Sequence, residues 1–538
     1  QMPSKRVCIV GAGAAGLPAT RHALLYGFDV VCYEAQGDIG GLWRYKAEET
    51  DESSVMKSTV INTSKEMTAY SDFPPPATTA NFMHNSHMCK YLEDYAAHFK
   101  LARHIKLHHK VLNIERHADY ATTGQWTVTV EDLKSGTRSS SVFDGVLLCT
   151  GHHTHPYSPQ PWKGQTEFKG KVLHAHSYKD YEGFDDKVVA VVGIGNSGGD
   201  IAVELSKVAK QVYLVTRSGT WVLNRVADYG RPIDTFLSCR LHSWMTRNFP
   251  SFMEKSMQNQ LSQRFDHEIY GLKPKHSVFG AHPTINDELP NRIASGTVRV
   301  KPQIECFTEN GIRFVDGSSV EHVDSAILAT GYSIEFPCLE GGNLLKISEN
   351  EVDAFAFMYP SVLEHDTLAL IGLIQPLGSI MPIAEMQARV FCDVLSGATR
   401  LPSKTAREAH IKATRERMQQ RYAASRRHTI QVDFLPYMDE LAALINCTPP
   451  VWYSLLLSDP KLAFSSAFGP HASYFYRLRG PHAWSGARKA VVTVEDRIAQ
   501  ATDPTARGSC LNALRSQMLQ TMTMYAVFVV LLALSLIH

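Results

Sequence analysis

Apolar residues along the chain fall into short runs that end in glycine. Residues 7–10 (VCIV) run into GAGAAG, a helix-length segment follows over 17–27, and the next apolar run is 30–33. Strand, tight turn, helix and strand in this order predict a βαβ unit with a parallel sheet covered on both faces. The pattern returns 182 residues downstream, where KVVAVV leads into GIGNSGGD and residues 212–215 supply the second strand. Two further runs, VLLCTG over 146–151 and AILATG over 326–331, each close an apolar strand with Thr-Gly. The predicted fold class is α/β, built on two Rossmann-like dinucleotide-binding units.

Glycine spacing says what these turns are for. In G-x-G-x-x-G the first glycine makes the tight turn, the second lets the backbone approach a pyrophosphate, and the third allows close packing of helix on strand. Free N–H groups at the helix start then face the phosphates. Gly11, Gly13 and Gly16 fill these positions in the first unit, and Glu34, 23 residues after Gly11, is placed to accept bonds from ribose hydroxyls. Gly193, Gly195 and Gly198 fill them in the second. There the position equivalent to Glu34 is Thr216, and Arg217 follows it. A carboxylate would repel a 2′-phosphate, whereas an arginine pairs with it. The first site is therefore read as one for FAD and the second as one for NADPH over NADH.

Composition narrows the class further. With 44% hydrophobic and 20% charged residues the chain is an ordinary globular one, and its 538 residues leave room for two to four domains. Fifty-four Lys and Arg against 53 Asp and Glu give a net charge of +1, so no nucleic-acid partner is expected. The 10 cysteines never form CxxC, which speaks against a disulfide scaffold, a zinc ribbon and a dithiol reductase. His84 and His87, His108-His109 and His152-His153-Thr154-His155 lack carboxylate or cysteine partners at ligand spacing, so no metal is expected. The run after Lys5 and Arg6 is too short for a signal-peptide core, so no signal peptide is expected, and Met2 is the expected natural start. Residues 525–537 (YAVFVVLLALSLI) are almost continuously apolar, a short hydrophobic helix by the length rule. They predict a membrane tail over 515–538 that contacts lipid while the body stays in the cytosol, where the sequons at Asn62 and Asn446 are idle.

GAGAAG, EAQGDIGGLWRY (34–45), NTSKEM (62–67), FKGKVLHAHSY (168–178), GIGNSGGD and LATGY (328–332) together resemble the microsomal flavin-containing monooxygenases of animals. The F-x-G-x3-H-x3-Y signature of that family is met by Phe168, Gly170, His174 and Tyr178. GLKPKH and AHPTINDELPNRI look most like one mammalian branch. Ala15 in place of a frequent Ser, and HAHSY in place of HSRxY, are small departures. The resemblance implies FAD, NADPH in a domain inserted into the FAD domain, and a C4a-hydroperoxyflavin that waits for substrate and supplies the oxidant. It also implies an endoplasmic reticulum location, with a homodimer left open. Carried over by motif, Asn62 stands beside the flavin and NADP⁺, Thr63 on the flavin side, Glu34, Leu42 and Trp43 at the adenosine end, and Ser197 and Gly198 at the NADPH pyrophosphate.

The expected organisation is an FAD domain over 2–155, an NADPH domain over 156–330 with a helical insertion at about 218–300, and a return to the FAD domain over 331–445. A C-terminal extension over 446–514 and the tail then follow. Pro156, Pro159 and Pro161 mark the first crossing and Gly331 the second. Residues 372–390 read as a loop followed by a helix with Pro382 in its first turn, its positive end toward the flavin. Asn62 and His282 are the expected catalytic residues. Asn62 is neutral and can hydrogen-bond without supplying a proton to the oxidant. His282 stands where many members of the family carry glutamate, and the branch with histidine there performs Baeyer–Villiger chemistry. The expected reaction is oxygenation of ketones and aldehydes to esters, with N- and S-oxygenation of amines and sulfides, or NADPH oxidation to H₂O₂, as alternatives.

Overall fold

In the computed structural model, residues 4–423 and 425–506 are described. The chain first lays down β1 (Arg6–Val10), α1 (Gly16–Leu25), β2 (Asp29–Tyr33), β3 (Ile105–Lys106) and β4 (Gly145–Leu148). It then builds β5 (Lys171–His174), β6 (Val188–Val192), α2 (Asn196–Leu205), β7 (Gln211–Val215), β8 (Val298–Lys301) and β9 (Ser325–Leu328), and returns with β10 (Leu368–Leu370). Two parallel five-stranded sheets result, in the orders β10-β4-β1-β2-β3 and β8-β7-β6-β9-β5. Because β10 pairs with β4, the chain comes back to its first sheet after completing the second.

The two sheets are copies of one plan. In each, the strand before the glycine turn lies between the strand after the helix and a strand that ends in Thr-Gly. A three-stranded antiparallel meander precedes that last strand in both, over His109–Phe143 and over Ile304–Val320. Burial on both faces follows from the continuous apolar runs. Val189 and Val191 of β6 enter one core with Ile201, Leu205 and Ile327, while Ala190 and Val192 enter another with Phe314 and Leu328. Side chains alternate across a strand, so a run of five apolar residues serves both layers.

Between β7 and β8 lie α3 (Ile233–Leu237), α4 (Arg240–Asn248), α5 (Pro250–Arg264) and α6 (Leu289–Ala294). Val222–Leu223 pairs in parallel with Thr284–Ile285 and closes this insertion on itself. After β10 comes α7 (Ile380–Ser396), capped by Ser379, with Pro382 in its first turn and Gly397 in the left-handed region (φ 85°) at its end. It is buried against α1, where Glu385 accepts from the backbone N–H of Ser71 at 2.7 Å and faces His22 Nε2 at 3.1 Å. The tail expected over 515–538 falls outside the described residues. Among the described residues, no helix is long and apolar enough to cross a membrane.

Candidate functional site: a cavity shared by two nucleotide turns

The second glycine turn opens on a cavity of about 1460 Å³ that reaches the first turn at Ala14, while Gly11, Gly13, Gly16 and Glu34 do not line it. The volume is above the ~300–1,000 Å³ usual for a single small-molecule site. In the first turn Gly11 has φ +98°, and a Cβ on Gly16 would stand 1.7 Å from the carbonyl oxygen of Gly11. No other residue type fits there without moving the helix off the strand. The Gly40 N–H donates to the Ala12 carbonyl at 3.1 Å, which seats the short turn Gly41–Trp43 on this glycine loop and brings Leu42 and Trp43 to the cavity wall. Gly13 lies under Gly41, whose Cα would be 3.4 Å from a Cβ on Gly13. Glu34 is buried, and its two oxygens accept the backbone N–H groups of Ala12 (2.6 Å) and Gln36 (2.8 Å). The turn itself therefore orients the acid.

The second turn repeats this geometry. Gly193 has φ +112°, and a Cβ on Gly198 would stand 1.9 Å from the Gly193 carbonyl oxygen. Gly195 caps α2 from outside, Ser197 is exposed in the first turn of the helix, and Arg217 is exposed just beyond β7. All three line the cavity.

Asn62 and Thr63 reach the same space from the segment before a short helix, Lys65–Thr68. The Oδ1 atom of Asn62 is buried without a hydrogen-bond partner, and Thr63 Oγ1 lies 2.8 Å from Thr68 Oγ1. Gly378, Ser379 and Ile380, at the N-terminus of α7, line the cavity as well. Dinucleotides fit these features, which comprise two cradles that a Cβ would fill, a helix start at each, and an orphaned acceptor on Asn62.

His282 lines the cavity on the side of the second turn. Its segment is laced to that turn: the Ile285 N–H donates to Asn196 Oδ1 at 2.8 Å, Asn286 Nδ2 to Asp200 Oδ1 at 2.9 Å, and Thr284 Oγ1 to the Ile194 carbonyl. Burial, with Arg427 and His428 adding positive charge, lowers its pKa to about 4, so the imidazole is neutral at pH 7. Among the described residues no hydrogen bond joins His282 to Asn62.

Several wall residues lie outside the site residues expected from the sequence: Asp234 carries no motif, and His153 and His174 enter there only as part of a histidine run and of the family signature. Asp234, on α3, accepts the Ser64 N–H at 2.6 Å, and burial pushes its carboxyl up to about 6. His153 and His174 pack around Tyr332 with ring centroids 5.2 and 5.6 Å away, and burial holds both at about 4, in the neutral form. No group of His, Cys, Asp and Glu among the described residues is arranged to hold a metal ion. The signature residues are largely structural. Phe168 packs on Phe307 with its ring tilted by 59°, a Cβ on Gly170 would strike the Phe168 ring, and the Tyr178 hydroxyl donates to Glu204 at 2.6 Å.

Comparison with known proteins gives the family. The flavin-binding monooxygenase-like family matches residues 4–538. Flavin-containing monooxygenase 5 of Rattus norvegicus is 48% identical over 500 residues, covering 92% of this chain and 93% of the relative, and the Homo sapiens protein of that name is 45% identical over the same shares. Among solved structures, S-allyl-L-cysteine S-oxygenase from Allium sativum superposes with a TM-score of 0.64 at 21% identity, over 93% of this chain and 98% of that one. OTEMO in complex with FAD and NADP superposes with a TM-score of 0.58 at 14% identity, over 82% and 98%. The chain belongs to the flavin-binding monooxygenase family, as an FAD- and NADPH-dependent enzyme.

Proposed function

We propose that this enzyme converts ketones and aldehydes to esters by inserting one oxygen atom of O₂, with FAD on the first turn and NADPH on the second. The neutral His282 in the cavity wall carries this reading. Bound FAD and NADPH would supply the hydride chemistry and the activation of O₂. The chain's own residues must position both nucleotides, exclude water and set the charge around the reacting oxygen.

Attack on a carbonyl carbon needs a nucleophilic oxygen, and an oxygen is nucleophilic while deprotonated. A carboxylate at position 282 would oppose that negative charge across a low-dielectric cavity, and a neutral imidazole does not. Arg427 stands beside His282 and adds positive charge. Asn62 offers an amide that holds a ligand without donating a proton, and its unpartnered Oδ1 is free to accept an N–H or O–H from the nucleotides. Glu34 takes the FAD ribose and Arg217 the 2′-phosphate of NADPH. The test is product analysis with one ketone and one thioether under NADPH and O₂. Ester from the ketone supports the reading, and sulfoxide with an inert ketone replaces it by S-oxygenation.

The enzyme is further proposed to act at the endoplasmic reticulum membrane, with its body in the cytosol. In support, Trp452, Tyr453, Leu456 and Leu457, with Phe464 on α8 (Pro460–Phe468), form an exposed apolar strip in which Leu457 is fully exposed. A contiguous strip of this kind suits a lipid surface, with Trp and Tyr at the interface.

A further inference from the structure

Arg427 belongs to the one-turn helix Arg426–His428, whose entry is fixed when Ser425 Oγ accepts the Arg427 N–H at 3.3 Å. Its neighbours are neutralised. Arg426 pairs with Glu349 at 3.1 Å and lies 4.0 Å over the Tyr157 ring, and Arg421 pairs with Asp433 at 2.6 Å. Arg427 has no carboxylate partner among the described residues. The residue is exposed on the side of the cavity it lines, while the protein packed around it shifts its pKa down.

Its position is unfavourable as it stands. A Cβ on Gly195 would lie 3.1, 3.5 and 3.6 Å from Nη2, Cζ and Nη1 of Arg427, so the guanidinium plane rests on the glycine that precedes α2. The start of a 10-residue helix carries a partial positive charge and N–H groups without intrahelical partners. A cation with no carboxylate partner among the described residues is thus held against the positive end of a dipole. One kind of ligand resolves both charges, an anion that accepts N–H bonds from the helix start and from the guanidinium together.

We propose that Arg427 is the second cation of the NADPH site and binds the pyrophosphate of the dinucleotide, linking the segment after β10 to the second glycine turn. This rests on the assignment of NADPH to that turn. Arg217, beyond the next strand, is left to the 2′-phosphate, so the two arginines divide the phosphates. It follows that bound nucleotide ties the two sheets together through Arg427, while Arg217 supplies the choice between NADPH and NADH.

The experiment uses the full-length, FAD-loaded protein and measures equilibrium binding of NADP⁺ and of NAD⁺, with thermal midpoints in parallel. Arg427→Gln is expected to weaken both nucleotides by the same factor, about tenfold or more, and Arg427→Lys to restore part of the loss. Arg217→Ala is expected to weaken NADP⁺ alone. Without nucleotide, the melting temperature of Arg427→Gln should equal or exceed that of the wild type, because an unpaired charge has been removed. Unchanged affinity in Arg427→Gln with normal wild-type binding overturns the proposal, as does a loss confined to NADP⁺. A wild type that binds neither nucleotide overturns the NADPH assignment on which the proposal rests.

Discussion

The backbone N–H of Ser64 donates to the carboxylate of Asp234 at 2.6 Å, so a helix of the insertion helps to hold the segment carrying Asn62. The insertion thereby becomes part of the wall that carries Asn62. The other oxygen of Asp234 is buried without a partner.

This bond has a pH signature. The Asp234 carboxyl titrates at about 6 in the folded protein against an ordinary 3.8, so the folded state holds the proton more tightly than the unfolded chain. Its stabilisation is complete below about pH 4 and is lost as pH rises through 6, by up to about 3 kcal/mol. Asp234→Asn keeps an acceptor for Ser64 and removes the titration. Its melting temperature relative to wild type is expected to rise from pH 5 to pH 8, and a parallel pH dependence in the two proteins would exclude this role.

Asn62→Ser and Asn62→Asp should leave flavin bound and reducible, since the glycine cradle and Glu34 are untouched. Oxygenated product per NADPH consumed should fall, with the difference appearing as H₂O₂. Unchanged coupling in both variants would make Asn62 a loop residue.

His282→Glu introduces a negative charge into the cavity wall and should lower ester formation at least about tenfold, with thioether oxidation less affected. In the wild type, an imidazole that titrates at about 4 gives no break in the ketone pH–rate profile between about pH 5 and 8. A break near 6.5 that disappears in His282→Gln would show that the residue titrates as an ordinary, solvated histidine.

Deleting residues 515–538 should move protein from the membrane fraction to the soluble one with activity kept. Leu457→Glu combined with Tyr453→Ser should release what remains. Full retention in the pellet after both changes would place membrane contact elsewhere on the surface.

The glycine turns were legible in the sequence because their chemistry is local. A Cβ on Gly16 collides with a residue five positions earlier, and Glu34 is oriented by the Ala12 N–H of the turn it follows, so spacing alone carries the geometry. Asp234 and Arg427 are of the other kind. Their partners, Ser64 and Gly195, lie 170 and 232 positions away in the chain, and nothing in the residues flanking them differs from a solvated helix end. His282 was legible as a departure from a pattern, but its neutral state required the fold, since burial beside Arg427 and His428 fixes it.

The two passages of the chain between the sheets run side by side. Pro156 pairs with Tyr332 and His155 with Ser333, and the Tyr157 N–H donates to the Gly331 carbonyl at 2.9 Å. Everything from residue 157 to residue 331 therefore starts and stops at one spot. A stretch with adjoining ends behaves as a cassette: it can be gained, lost or exchanged between relatives in a single event without re-threading the host sheet. Under the proposed assignment of NADPH to the second turn, nicotinamide specificity is open to replacement as a module while the rest of the chain stays unchanged.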